Sequence, residues 1–474
     1  MTSWKDRLIA KFEGRVRQKV SPEECPKGEP AAIPAYHTQY SGQAAGRETI
    51  QLVIGLDFGT AYTKVVIGER RRAYAVPFTD IARGGNPYLL PGVLTVAQDG
   101  RVRLGADSSG RRVSNLKMRI LNGDTGDETL SLAVSFLALV LQHARGWFLN
   151  THRQTYERYC LDWNVNVGLP TTHYQDQSLA RFYKQMVTAA WHASTRSTPL
   201  DLAIVCDSFA DDEDALSAEA VGAFPEFAAQ INGYVRSPMR RSDLHLLMDV
   251  GAGTVDVAAF NVHQRDGDDV FPIFAGLVKH LGVQMLHKYR VEKLFPARST
   301  DAPEYNEGAS DAEVAKSLGV PVDELRVVDR LFRKGLLEQV RAAVQLAKQK
   351  YPLSRRWEDG VPFFLCGGGA RAELYAGLAE RMVRDSAPCP LARVDLPKPE
   401  RLVAQGIHAG DYDRLSVAYG LSFGQFDIGE IVRTDDIGGT DPEPPHGTAC
   451  PDCNGTGGYM ANSCNRCGGS GWLF

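Results

Sequence analysis

The spacing of apolar residues changes along the chain, and the changes mark out its organisation. Within residues 1–20, Trp4, Leu8, Ile9, Phe12 and Val16 recur at helical spacing among lysines and arginines. This predicts a short amphipathic helix that would dock on the body of the protein, a partner or a lipid surface. Residues 21–48, rich in Pro, Gly and Ala, read as a linker. From residue 51 the texture becomes β-rich, in QLVIGLDFG, KVVIGE, LPGVLTVAQDGRVRLG, WNVNVGLP and DLAIVCD, separated by helical stretches such as SLARFYKQMVTAAW. A second set of the same kind starts at LHLLMDVGAGTVDVAAFNV, runs through a long helical stretch from Leu325 to Lys350 and closes with PFFLCGGGARAELYAGLAERM. Strands alternating with helices predict an α/β protein.

The two sets are related. IGLDFGTAYTKVVI, with Asp57, Gly59 and Thr60, is echoed by LMDVGAGTVDVAAF, with Asp249, Gly251, Gly253 and Thr254, so the chain repeats itself and two lobes are expected. Lobe I would cover about 49–240, lobe II about 241–400, and a return segment 401–424. A polar loop at 296–322 is inserted in lobe II, and a second linker at 425–447 leads to a cysteine module at 448–474. A strand that enters D-x-G-T and leaves as a second strand makes a tight hairpin whose backbone N–H groups can point at a phosphate, because glycine permits the dihedrals and the close approach. Two such hairpins face to face would grip one polyphosphate. Asp57 and Asp249 would then hold Mg²⁺ mostly through water, and Thr60 and Thr254 would bond phosphate oxygens. One D-x-G-T turn is commonly just a turn. Two in symmetric places, with a Gly367–Gly368–Gly369 turn between an apolar strand and a helix, point much more narrowly to a nucleotide.

Composition narrows the partners. The 474 residues carry 53 Lys+Arg against 57 Asp+Glu, a formal net charge of −4, which gives no electrostatic argument for nucleic acid or membrane. The sequence suggests no transmembrane segment, and the N-terminus lacks the apolar core of a signal peptide. Of nine cysteines, Cys25, Cys160, Cys206, Cys366 and Cys389 are scattered, which suits a reducing, cytoplasmic setting and core positions. The rest form two C-x-x-C knuckles, Cys450 with Cys453 and Cys464 with Cys467, each running into glycine-rich turns. Four thiolates arranged so suit tetrahedral Zn²⁺, with a redox dithiol as the alternative. Arg466 is the sole basic residue inside the module, which disfavours nucleic acid as its target.

With these motifs in view, residues 51–424 resemble the actin/Hsp70/sugar-kinase superfamily. IGLDFGTAYTKVVIG resembles the first phosphate motif, MDVGAGTVDV the second, CGGGAR the adenosine motif, and VNVGLPTT and SVAYGLSFG the connecting segments. LPGVLTVAQDGRVRLGADS and VKHLGVQML tilt the resemblance toward Hsp70. It implies a two-lobed fold of duplicated ribonuclease H-like domains that binds ATP or ADP with Mg²⁺. The hairpin residues Asp57, Gly59, Thr60, Ala61 and Tyr62, and Asp249, Gly251, Ala252, Gly253 and Thr254, would hold ion and phosphates. Asp256 would sit near the attacking water, Lys117 in NLKMRIL would touch the γ-phosphate, and Gly367, Gly368 and Gly369 would border the adenosine with Arg371 stacked on the base.

The departures are specific. In AFPEFAAQ, Phe224 takes the place of a water-positioning glutamate, leaving Glu226 as the substitute, and the H-L-G-G stretch is reduced to His280, Leu281, Gly282 and Val283. No peptide clamp follows residue 424; instead the repeated C-x-x-C-x-G-x-G pattern resembles half of a DnaJ-type cysteine-rich domain. The resemblance implies a slow ATPase coupled to a protein client or cochaperone-like partner. An actin-like assembly protein and an ATP sensor with little hydrolysis are the other expectations, the latter suggested by Phe224.

Overall fold

The protein was analysed as a computed structural model, which describes residues 37–40, 47–82, 85–108, 110–124, 126–170, 176–196, 199–202, 205, 220–296 and 309–437, and the strand positions 448–449, 458–459, 462–463 and 472–473. The expected helix at 1–20, most of the linker at 21–48 and all four cysteines of the C-x-x-C pairs lie outside the described residues.

Most of the apolar runs form strands in the order the sequence suggests; the run beginning at Asp201 does not, since Asp201 makes only an isolated bridge with Arg101 and Leu202 and Val205 are helical. The first repeat supplies β1 (Thr49–Asp57), β2 (Tyr62–Gly68), β3 (Ala73–Ala75), β4 (Leu90–Pro91), β5 (Val93–Ala97), β6 (Val102–Leu104), β7 (Gly110–Ser114), β8 (Cys160–Leu169) and β9 (Val221–Pro225). The second supplies β10 (Asp243–Val250), β11 (Val255–Arg265), β12 (Asp268–Lys279), β13 (Val361–Cys366) and β14 (Leu391–Arg393). They are followed by β15 (Leu402–Val403) and β16 (Glu430–Val432). One sheet runs β15-β3-β2-β1-β8-β9 with β4 on β2, the other β14-β13-β10-β11-β12-β16, and β6-β5-β7 form a small third sheet. The protein is mixed α/β. In both large sheets a strand with Asp at or next to its end pairs antiparallel with the strand after its turn and parallel with a later strand: β1 with β2 and β8, β10 with β11 and β13.

Helices Asp127–Thr151 and Gln177–Ser194 close the core of the first sheet, with Phe136, Leu137, Phe148, Phe182 and Met186 fully or nearly fully buried. Asp127–Thr151 is long and apolar enough to cross a membrane, but 78% of its most apolar stretch is buried against the protein, which accounts for its composition. Inside it, the buried Arg145 donates to Ser194 Oγ and Ser194 O at 2.7 Å each and stacks over Trp191. Helices Val283–Leu294, Val322–Lys350 and Glu373–Arg384 cover one face of the second sheet.

Two boundaries differ from the sequence expectation. The helix Glu226–Val235, assigned above to lobe I, packs Phe227, Ile231 and Tyr234 against Leu247, Phe260 and Phe364 of the second sheet. The chain therefore changes sheets at Pro225, not near residue 240, because the apolar face of this helix finds its partners there. After the second sheet, β15 pairs with β3, and the helix Ser416–Leu421 lies over β1 and β2 and against Glu226–Val235. Beyond it, the stretch read as a linker from 425 begins as ordered structure, since β16 pairs with β12 and Thr434 donates to Ile273 O at 2.8 Å.

The polar insertion also has structure in its described part. Asp311–Leu318 is a helix with a capping box between Ser310 and Glu313 and a left-handed Gly319 (φ 73°) as its C-cap. Its S-x-x-E signature lies within the stretch expected to be a polar loop, and the capping box turns that part into helix. Buried Arg290 ties this helix to its neighbours, donating to Asp311 at 2.9 Å and to both carboxylate oxygens of Asp329 at 2.8 and 2.6 Å. Ser310→Ala should lower the unfolding free energy by about 1 kcal/mol in urea titrations, the usual cost of an N-cap. In the tail, β17 (Thr448–Ala449) pairs antiparallel with β20 (Trp472–Leu473), and β18 (Gly458–Tyr459) with β19 (Asn462–Ser463).

Candidate functional site

The first hairpin brings Asp57, 6% exposed, to the end of β1, directly opposite Lys64 on β2, whose ammonium donates to it at 2.9 Å. Gly59 is required by closeness: a Cβ there would lie 2.2 Å from Tyr62 O. The second hairpin places Asp249 opposite Asp256, two carboxylates side by side on neighbouring strands, and closes its turn with Gly251 N donating to Thr254 O at 2.9 Å. The carbonyls of Gly251, Ala252 and Gly253 accept from the amides of Val283, Gln284 and Gly282, so the first turn of helix Val283–Leu294 is seated on this hairpin. A Cβ on Gly282 would come within 2.4 Å of Ala252 O, which explains the glycine kept in the reduced H-L-G-V stretch.

Both hairpins border one cleft. The first contributes Asp57, Gly59, Thr60, Ala61 and Tyr62 to its wall; the second contributes Gly251, Ala252 and Thr254 with Asp249 and Asp256. Gly367 and Gly368 close it. Gly367 has φ 85°, and a Cβ on it would overlap Asp249 Oδ1 at 2.1 Å, so a side chain there would displace the carboxylate.

Lys117, on the short helix Leu116–Leu121, is 6% exposed and donates to Glu226 at 2.6 Å. Glu226 opens its helix directly after Pro225, and Gly168 makes room for it, a Cβ there lying 2.9 Å from Glu226 Cγ. Phe224, which the resemblance set in the glutamate's place, instead packs half-buried against Ala229, Val417 and Leu421. The carboxylate that this segment brings to the cleft wall is that of Glu226.

Three expected residues are elsewhere. Gly253 abuts Met118, whose sulfur would be 2.8 Å from a Cβ, and Gly369 packs against Val250 and Val283. Arg371 is not on the cleft wall, because its guanidinium is held by Asp413 at 2.9 Å, Asp411 at 3.0 Å and Gly410 O at 3.1 Å. Conversely, Lys64, Gln230, Asp413 and Arg414 border the cleft without having been expected, Arg414 lying 5.6 Å from the Tyr62 ring. Cys366 is buried and its thiol pKa is raised well above the ordinary value, first by burial and then by Asp249, in keeping with a core residue.

Electrostatically the wall is unbalanced. Five carboxylates (Asp57, Glu226, Asp249, Asp256, Asp413) face three cations (Lys64, Lys117, Arg414), an excess of two negative charges when all are ionised. Burial, followed by the charges of Glu226 and Asp256, pushes the Asp249 carboxyl up to about 7, with Lys64 opposing. Burial works against the Lys117 ammonium, but Glu226, Tyr183 and Asp57 outweigh it and hold its pKa above the ordinary lysine value. Hard oxygen donors with surplus negative charge fit a hydrated divalent cation, and two glycine turns beside a lysine fit an oxyanion. Among the described residues no group of three or more His, Cys, Asp or Glu converges to hold a metal directly, so a Mg²⁺ here would draw its inner shell mainly from water and phosphate. Compared with protein-family models and with curated proteins, the chain matches none.

Proposed function

We propose that the chain is a slow ATPase with a two-lobed actin/Hsp70-like fold, binding Mg²⁺ and ATP in this cleft and relaying lobe opening and closing to a protein client or cochaperone-like partner in the cytoplasm. One observation carries the reading: two Asp-Gly-Thr hairpins, far apart in sequence and one from each large sheet, border the same cleft as the Lys117–Glu226 pair and the Gly367–Gly368 turn. Thr60, Thr254 and the hairpin backbones would hold phosphate oxygens, and Asp57 and Asp249 would hold Mg²⁺ through its waters. Mg²⁺ supplies neutralisation of phosphate charge when bound. Lys117 would add a positive charge beside the γ-phosphate, while Glu226 and Asp256 orient the water that attacks phosphorus as the bond to ADP breaks. Glu226 at the wall favours hydrolysis over the sensor reading, which rested on Phe224. Cys450, Cys453, Cys464 and Cys467 would take Zn²⁺ as a structural staple of the tail.

Steady-state and single-turnover hydrolysis on the full chain test the reading, with nucleotide binding measured on the same samples. Glu226→Gln should slow the single turnover about 10- to 100-fold and leave ADP affinity within about threefold, because it removes a proton acceptor and keeps the shape. Failure of the unaltered protein to bind any adenine nucleotide would sink the proposal.

A further inference from the structure

Gln230 lies one helical turn beyond Glu226 on the helix Glu226–Val235, so the two side chains share a face. It borders the cleft yet is only 1% exposed, and its Oε1 has no hydrogen-bond partner among the described residues. A buried amide oxygen requires a donor. No donor of the described residues reaches it, and the two lysines of the cleft are directed elsewhere, Lys117 at Glu226 (2.6 Å) and Lys64 at Asp57 (2.9 Å). The donor therefore arrives with the ligand.

Resting on the nucleotide reading above, we infer that Gln230 Oε1 accepts a hydrogen bond from a water of hydrated Mg²⁺, which makes Gln230 an outer-sphere positioning residue for the ion. Mg²⁺ sheds its waters reluctantly, and a water polarised by a cation is a stronger donor than a ribose hydroxyl or an adenine amine. The helix is in the right neighbourhood, since Glu226 and Gln230 border the same cleft as Asp57 and Asp249, the carboxylates proposed to face the ion. An amide rotated by half a turn would present its NH₂ instead and reach for phosphate, a different role that substitution separates.

The test is calorimetric titration of ADP into the full chain, in EDTA and across a Mg²⁺ series, for the wild type, Gln230→Met and Gln230→Glu, with thermal unfolding as the folding check. Gln230→Met should raise the Mg²⁺ concentration for half-maximal enhancement of ADP binding about tenfold and leave ADP affinity in EDTA unchanged. Gln230→Glu, which keeps an acceptor and adds charge, should match or improve on the wild type in Mg²⁺. An unchanged Mg²⁺ response in Gln230→Met overturns the inference and leaves the nucleotide reading standing; so does an equal loss of ADP affinity with and without Mg²⁺ in both variants, which would assign the amide to the nucleotide. A wild type that binds no ADP refutes both. Should Gln230→Met fail to fold, Gln230→Glu decides: equal or tighter Mg²⁺ dependence supports the role, and weaker ADP binding at every Mg²⁺ concentration overturns it.

Discussion

Asp249→Asn is expected to weaken Mg²⁺-dependent nucleotide binding about a hundredfold while making the nucleotide-free protein more stable at pH 8. The two effects have one source. The Asp249 carboxyl is pushed from 3.8 up to about 7, first by burial and then by Glu226, Asp256 and Asp57. An acid whose pKa is higher folded than unfolded holds its proton longer in the folded state, so stability falls as pH rises from about 4 to about 7 and stays low above that. The asparagine variant escapes this loss. It should exceed the wild type by about 2 kcal/mol at pH 8, a figure kept below the full linkage value because the side chain is partly open to the cleft, and the gap should close as pH approaches 4. Denaturant midpoints at a series of pH values measure it; a gap independent of pH would mean the carboxylate is not strained by its neighbours. On the proposed reading, the same shift would make Mg²⁺ binding by the wild type proton-linked. Below pH 7 the apparent affinity for Mg²⁺-nucleotide should drop by up to tenfold per unit, because the carboxylate must ionise to face the ion.

The residues of this strained cluster were legible in the sequence only in part. Asp57, Asp249 and the hairpin glycines stood out because a hairpin motif fixes its own geometry: D-x-G-T in the first and D-x-G-x-G-T in the second set which residues face one another, and the β1–β2 and β10–β11 registers follow, whereas Asp256 came from resemblance. Lys117 came from resemblance, and the structure sets it against Glu226. Glu226 itself was harder to read. Counting from a family motif assigned the position to Phe224, but strand β9 ends at Pro225 and a helix starts at once, so the side-chain period switches from 2 to 3.6 between the two residues and a fixed offset loses its meaning. Gln230 and Arg414 carried no local signal, since their place on the wall depends on how helix Glu226–Val235 and the return segment pack. Arg371 was expected on the base; the sequence could not tell that Asp411 and Asp413 would hold it. The pattern is general. Chemistry within one turn can be read from spacing, whereas contacts across elements depend on packing.

Gly420→Ala should be among the most damaging single substitutions in the chain, costing about 4 kcal/mol or more, or preventing folding altogether. In the helix Ser416–Leu421, a Cβ at this position would fall 1.8 Å from the carbonyl oxygen of Ala229 in the helix Glu226–Val235. The obstacle is backbone, so no rotamer change relieves it, and the helices would have to separate. They cannot do so freely, because the return helix is also pressed against the first sheet: a Cβ on Gly55 would lie 2.1 Å from Ala418 O, and one on Gly68 would lie 2.1 Å from Ser422 O. Gly377→Ala is the matched control. It sits in the helix Glu373–Arg384 with nothing within 4 Å of the added methyl, so alanine should stabilise by up to about 1 kcal/mol through helix propensity. Guanidinium titrations should therefore give opposite signs for the same chemical change. If Gly420→Ala folds at all, its separated helices should also weaken nucleotide binding, since Glu226 and Gln230 border the cleft from one of them and Val417 from the other. A Gly420→Ala protein with wild-type stability would mean that these two helices do not cross in contact, and the wall built from both would have to be redrawn.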